Sequence, residues 1–145
     1  KNCVCTPSQI IRYQKKISGP LLDRIDLHIE VPKVEFDKLT SENTGESSRE
    51  VKFRVQGARN IQLKRFSGLG IFTNSEMRTQ HMKEFCKVDK ATLDLLKNAV
   101  NQMKLSARSY HRILKIARTI ADLAGDEHMR LDHISEAIQY RPKME

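Results

Sequence analysis

The chain contains no tryptophan, and aromatics make up only 6% of it. That argues against broad aromatic platforms for stacking bases or planar ligands. Its three cysteines, Cys3, Cys5 and Cys86, are too few and too scattered for a disulfide framework, so a cytosolic protein is the expectation. No apolar run approaches the ~20 residues of a membrane span, and no signal peptide opens the chain. The glycine-rich loop G-x-x-x-x-G-K-[ST] that cradles nucleotide phosphates is also missing. This chain by itself is therefore not a complete nucleotide hydrolase of that kind. The five histidines, His28, His81, His111, His128 and His133, show no metal-ligand spacing and read as surface or structural. No Ser/His/Asp arrangement suggests nucleophilic catalysis.

What is present is an ordinary globular balance with a basic excess. The 145 residues are 39% hydrophobic and 30% charged, with a formal net charge of +8. That length suits one domain, or a domain plus part of another. The positive charge favours an anionic partner: nucleic acid, nucleotide or an acidic protein face. Both signs are interleaved along the chain, which a well-solvated basic surface would also explain. The first residues read as the middle of something longer.

Local signals divide the chain in two. In "CTPSQIIRYQKKI", Thr6 is a candidate N-cap and Pro7 sits where its missing N–H costs nothing. Ile10, Ile11 and Ile17 supply an apolar side, and Gly19-Pro20 ends the helix. Leu21 and Leu22 suggest one helical turn. "IDLHIEVP" then alternates apolar and polar residues and predicts a strand over Asp26–Val31, stopped by Pro32. The polar run 40–48, "TSENTGESS", reads as an exposed loop and the domain boundary. Beyond it the period changes to about 3.6. Val51, Val55, Ala58 and Ile61 form a stripe on a helix over 48–66. Ser75 is expected to cap a helix through Phe85, and Asp89 the next one. Ser106 should cap a long helix closed by Gly125, and Asp132 a last short one. The expected architecture is mostly α: a small α/β piece with one strand, then about four to five helices.

Four places could carry chemistry. Arg108 lies in the first turn of its helix, the wrong end of the macrodipole for a cation. Free backbone N–H groups plus an arginine nevertheless suit a phosphate. At about 100° per residue, Arg108, Arg112, Lys115 and Thr119 share one face of that helix, as either a solvated or a phosphate-facing stripe. Arg24, on a Pro-containing turn, suits charge developing on a transferred phosphoryl group. An ordinary ion pair with Asp23, Asp26 or Glu30 would explain it equally well. Cys3 and Cys5 are half of a tetrahedral zinc site, or simply free thiols.

The blocks "CVCTPSQIIRYQKKISGPLLDRIDLHIEVP", "GESS", "LSARSYHRILKIARTIADLAG" and "HISEAIQYR" resemble the C-terminal part of bacterial magnesium-chelatase-like AAA+ ATPases of the YifB/ComM type. The resemblance runs from about residue 3 to residue 141. It implies that residues 1–33 end an AAA+ α/β core and that residues 34–145 form its helical lid. By the same resemblance, Arg24 is an arginine finger serving a neighbouring subunit in trans, and Arg108 is the sensor-2 arginine, contacting nucleotide in its own subunit. The family's phosphate loop, Mg²⁺-binding acidic motif and further cysteines would lie upstream, the last completing a zinc site with Cys3 and Cys5. ATP and Mg²⁺ are the implied cofactors of the whole protein. The implied partners are its own subunits in a ring, expected to be a hexamer, and DNA, on which the ComM type acts in branch migration during uptake and recombination. Two other functions are open to the same residues. One is a helical module that binds nucleic acid or an acidic partner without catalysis. The other is a metal-insertion motor like magnesium chelatase itself.

Overall fold

The computed structural model describes residues 3–34 and 45–141. Helices α1 (Pro7–Gln14) and α2 (Gly19–Leu22) come first. After the interval come α3 (Ser48–Arg65), a 3₁₀ turn (Asn74–Glu76), α4 (Thr79–Phe85), α5 (Lys90–Gln102), α6 (Ala107–Ala124) and α7 (Leu131–Gln139). The fold is mostly α. The expected linker, 40–48, falls partly outside the described residues; its Ser47 caps α3 and its Ser48 is already the first residue of that helix.

Most helix starts follow from their caps. Thr6 and Gln9 form a reciprocal box at α1, as Ser47 and Glu50 do at α3. Asp89 accepts the Thr92 N–H at 2.8 Å, and Ser106 accepts the Ser109 N–H at 3.1 Å. Each satisfies a backbone donor that the helix itself leaves unpaired. Gly125 ends α6 in the left-handed region, φ 77°, where a side chain is strained.

Two starts differ from expectation. The turn that Ser75 was expected to cap is instead the 3₁₀ turn, held by Glu76, whose carboxylate accepts the N–H groups of Phe72 and Thr73. The helix proper begins only at Thr79, where His81 Nδ1 accepts the Arg78 N–H at 3.1 Å. The last helix begins before Asp132 by the same device, with His133 Nδ1 accepting the Arg130 N–H. Both histidines are buried, and both are structural.

The core is built around α6, which packs against α7, α3, α4 and the 3₁₀ turn, while α5 packs on α7. Ile113, Leu114, Ala117 and Ala121 of α6 meet Phe66, Met82, Cys86, Leu96 and Ile134. Phe66 and Phe85 meet edge to face, with centroids 5.6 Å apart. Burying each large aliphatic side chain here contributes about 1.5–3 kcal/mol. Of the expected α3 stripe only Ala58 is buried, whereas Val51 and Val55 are exposed.

The segment before residue 34 is different. The expected strand at Asp26–Val31 is not formed. A strand exists only as a rung of a ladder, and no second strand lies among the described residues. Among the bonds described for residues 27–34, one, from the His28 N–H to the Tyr140 carbonyl at 2.9 Å, ties the segment's backbone. Its alternating apolar residues stay outside, Ile29 at 70% and Val31 at 83% exposed. Helix α1 likewise buries no residue, and its isoleucines face solvent.

Candidate functional site

The polar face of α6 organises the site, and most of it is covered. Asp122 near its C-terminal end is fully buried. Its carboxylate accepts from Arg65 of α3, from Asn74 at 2.8 Å and from Arg118 Nε at 3.2 Å. Arg118 also donates to the carbonyls of Asp126 and Glu127. Burial lowers the Arg118 pKa, against the opposing pull of the Asp122 charge. One turn nearer the N-terminus, Thr119 accepts from Asn74 at 3.0 Å. Lys115 Nζ then donates to the Ser75 carbonyl at 2.7 Å. Of the stripe read in sequence as solvated or phosphate-facing, Lys115 and Thr119 thus hold the 3₁₀ turn against α6, and Asp122, the next residue along that face, holds α3.

Toward the N-terminus the same face holds the turn that carries Arg24. Arg112 donates to the Arg24 carbonyl and to the Asp26 carboxylate. Asp23 accepts from Ser106 Oγ at 2.9 Å and from Ser109 Oγ. Those two hydroxyls hold the Asp23 carboxyl below its usual range, and the charges of Arg141 and Arg108 lower it further. A carboxylate at the start of a helix also complements its macrodipole. Arg141 reaches across from the end of α7 and donates to the Ile25 carbonyl at 3.0 Å.

The ion pair considered for Arg24 is therefore absent among the described residues: Asp23 goes to the serines and Asp26 to Arg112. Arg24 and Arg108 are both exposed, and neither guanidinium has a hydrogen-bond or ion-pair partner among the described residues. Their backbones lie at the same end of α6: Ser106 and Ser109, on either side of Arg108, hold Asp23, the neighbour of Arg24. Arg112, which holds the Arg24 carbonyl, lies four residues, about 6 Å, beyond Arg108 along α6. Two unpartnered arginines beside a helix N-terminus can bind an anion with several oxygens, and phosphate suits the planar fork of each. Arg112 and Lys115, the weaker phosphate candidates, are bonded within the chain.

Cys3 and Cys5 are exposed. Among the described residues no group of three or more His, Cys, Asp or Glu is placed to hold a metal ion, so the expected zinc site at Cys3 and Cys5 finds no support. Cys86 is a core residue whose thiol is pushed up to about 11, chiefly by burial. No helix among the described residues is long and apolar enough to cross a membrane.

Sequence reasoning missed Asp23, Ser109 and Arg141 as parts of the site, and Arg65, Asn74, Arg118 and Asp122 as its support. The one legible hint was Ser106, whose role as a cap put a hydroxyl at the helix start.

The profile described as magnesium chelatase, subunit ChlI C-terminal, matches residues 45–141. That described as magnesium chelatase, subunit ChlI, matches residues 1–39. Competence protein ComM of Haemophilus influenzae is 40% identical over 137 residues, 94% of this chain and 26% of that protein. The uncharacterized protein YifB of Escherichia coli is 38% identical over 138 residues, again 94% and 26%. A Mycobacterium bovis protein is 31% identical over 141 residues, 97% and 28%. The chain spans about a quarter of the length of these relatives.

Proposed function

The chain belongs to the magnesium chelatase subunit ChlI C-terminal family, and from that we propose that it is the arginine-bearing segment of a ring-forming AAA+ ATPase that remodels DNA. Residues 1–33 close the α/β core in this reading, and the helices after the interval form the lid. Arg24 reaches the ATP held by the neighbouring subunit. It places fixed positive charge where negative charge develops as the γ-phosphoryl group leaves. An arginine suits this because it stays protonated and engages two oxygens at once.

The observation that carries the reading is the state of Arg24. Its own carbonyl and the carboxylates on either side are bonded within the chain, and its guanidinium is exposed and unpartnered among the described residues. Side-chain entropy makes a held backbone with a bare charged tip a poor stabilising element. It makes a good probe for an anion on another molecule.

Arg108 belongs with it. A subunit's own nucleotide and its neighbour's lie at opposite interfaces of a ring. The closeness of Arg108 to the Arg24 turn favours a shared phosphate site over the own-subunit contact expected from sequence. The described residues gather no carboxylates that would hold Mg²⁺, so in this reading the metal and the phosphate loop come from the remainder of the full-length protein. DNA as the object of the motor rests on the similarity to ComM and on the net charge of +8.

The test is ATP turnover by the full-length protein. Arg24→Ala should lower it by about 10³-fold or more while nucleotide binding stays within about twofold of wild type. Turnover at the wild-type rate would end the proposal.

A further inference from the structure

We propose that Asp23, Arg112 and Arg141 are positioning residues for Arg24: they fasten its turn to α6, so that the finger travels with the lid helix. This rests on the reading of Arg24 given above and extends it to the parts of the lid that set the finger's position.

Bonds converge on four consecutive residues. The Asp23 carboxylate accepts from Ser106 and Ser109 at the start of α6. The Arg24 carbonyl and the Asp26 carboxylate both accept from Arg112, one turn along the same helix. The Ile25 carbonyl accepts from Arg141, whose other guanidinium nitrogen points to the Ser109 carbonyl at 3.5 Å. Ser109 and Arg141 are both buried. The clasp is therefore dry where Arg141 meets Ser109, and bonds there hold better than in water, while the Arg112 bonds lie at its exposed edge. Asp23 and Asp26 also offset the desolvation that lowers the Arg141 pKa.

The rest of the N-terminal segment lacks such attachment. Helix α1 buries nothing, and beyond Asp26 the backbone is tied at His28 alone among the bonds described for residues 27–34. The turn that carries Arg24 is thus bonded directly to the helical domain, although it lies more than 80 residues away in sequence. A turn of α6 moves Arg24 with it. Any change that Arg108 registers at a phosphate reaches Arg24 along the same rigid helix. Arg112 acts in this scheme through the backbone of Arg24, not by touching phosphate.

Catalysis by a positioned charge is sensitive to displacement, with about 10²-fold lost for 1 Å. In the full-length protein, Arg112→Ala should lower kcat for ATP hydrolysis about tenfold with nucleotide Kd within about twofold. Arg112→Lys, which can still donate to the Arg24 carbonyl, should recover at least part of that loss. Asp23→Asn, close in shape, should weaken the other side of the clasp and lower kcat in the same way. In an Arg24→Lys background, measured by single turnover, adding Arg112→Ala should cost less than about twofold more, because the residue it acts through is already impaired.

The positioning role is overturned if Arg112→Ala and Asp23→Asn both hydrolyse ATP within about twofold of wild type, or if the losses in the double variant simply multiply. Arg24→Ala, run alongside, separates the two levels. If it is inactive while the clasp variants are normal, positioning alone is wrong. If Arg24→Ala is itself fully active, the finger reading falls, and the positioning role with it.

Discussion

Replacing Asp122 by asparagine should strongly destabilise the helical domain, and the structure gives the scale. The carboxylate is fully buried and neutralises part of two guanidiniums, those of Arg118 and Arg65, whose side chains are only 3% and 13% exposed. Asparagine keeps the volume and one acceptor oxygen. It removes the charge and turns an amide donor toward donors. Breaking a buried pair in this way leaves uncompensated charge and costs about 3–5 kcal/mol. Domains of this size have only about 5–15 kcal/mol to lose. At about 3–6 °C per kcal/mol, the melting temperature should fall by roughly 10–30 °C. The assay is thermal unfolding followed by far-ultraviolet circular dichroism, with Arg118→Met as the second arm of a double-mutant cycle. Arg118→Met should cost less in the Asp122→Asn background than in wild type, with a coupling above about 1 kcal/mol. A fall of only a few degrees, or strictly additive effects, would refute the reasoning that the seam is an electrostatic unit.

Two further outcomes follow from single residues. Gly125→Ala should cost about 1–2 kcal/mol, because its φ of 77° lies where a Cβ meets the carbonyl oxygen; a change under about 0.3 kcal/mol in a denaturant titration would contradict that. Cys86 should resist thiol reagents in the folded protein at pH 8, while exposed Cys3 and Cys5 react. Its raised pKa also means that the stability tied to the neutral thiol is present at low pH. That stability is lost as pH rises from the unfolded thiol's range toward about 11. Rapid native labelling of Cys86, or stability that does not decline across that interval, would contradict the burial argument.

What was legible in the sequence was local. Thr6, Asp89, Ser106 and Gly125 announce their helix ends because a cap depends on three or four adjacent residues. Arg24 and Arg108 could be singled out because each sits oddly in its own short context. What was illegible depended on what covers a face. The polar stripe of α6 looks the same in sequence whether water, phosphate or α3 lies over it. In the fold, Asp122 meets an arginine 57 residues earlier in the chain, and Ser109 meets Asp23 86 residues earlier. The alternation at Asp26–Val31 failed for the opposite reason. Its pattern is that of a strand, but a strand needs a neighbour that the described residues do not supply.

The central claim is that Arg24 completes a nucleotide site on another subunit, with Arg108 beside it. Subunit mixing tests it most directly. Full-length Arg24→Ala protein, inactive alone, is combined with full-length protein whose own nucleotide pocket has been disabled. Mixed rings pair an intact pocket with an intact finger, so ATP hydrolysis should reappear, and Arg108→Ala should behave as Arg24→Ala does. Failure to recover turnover at any ratio, in rings shown to contain both subunits, would contradict the account.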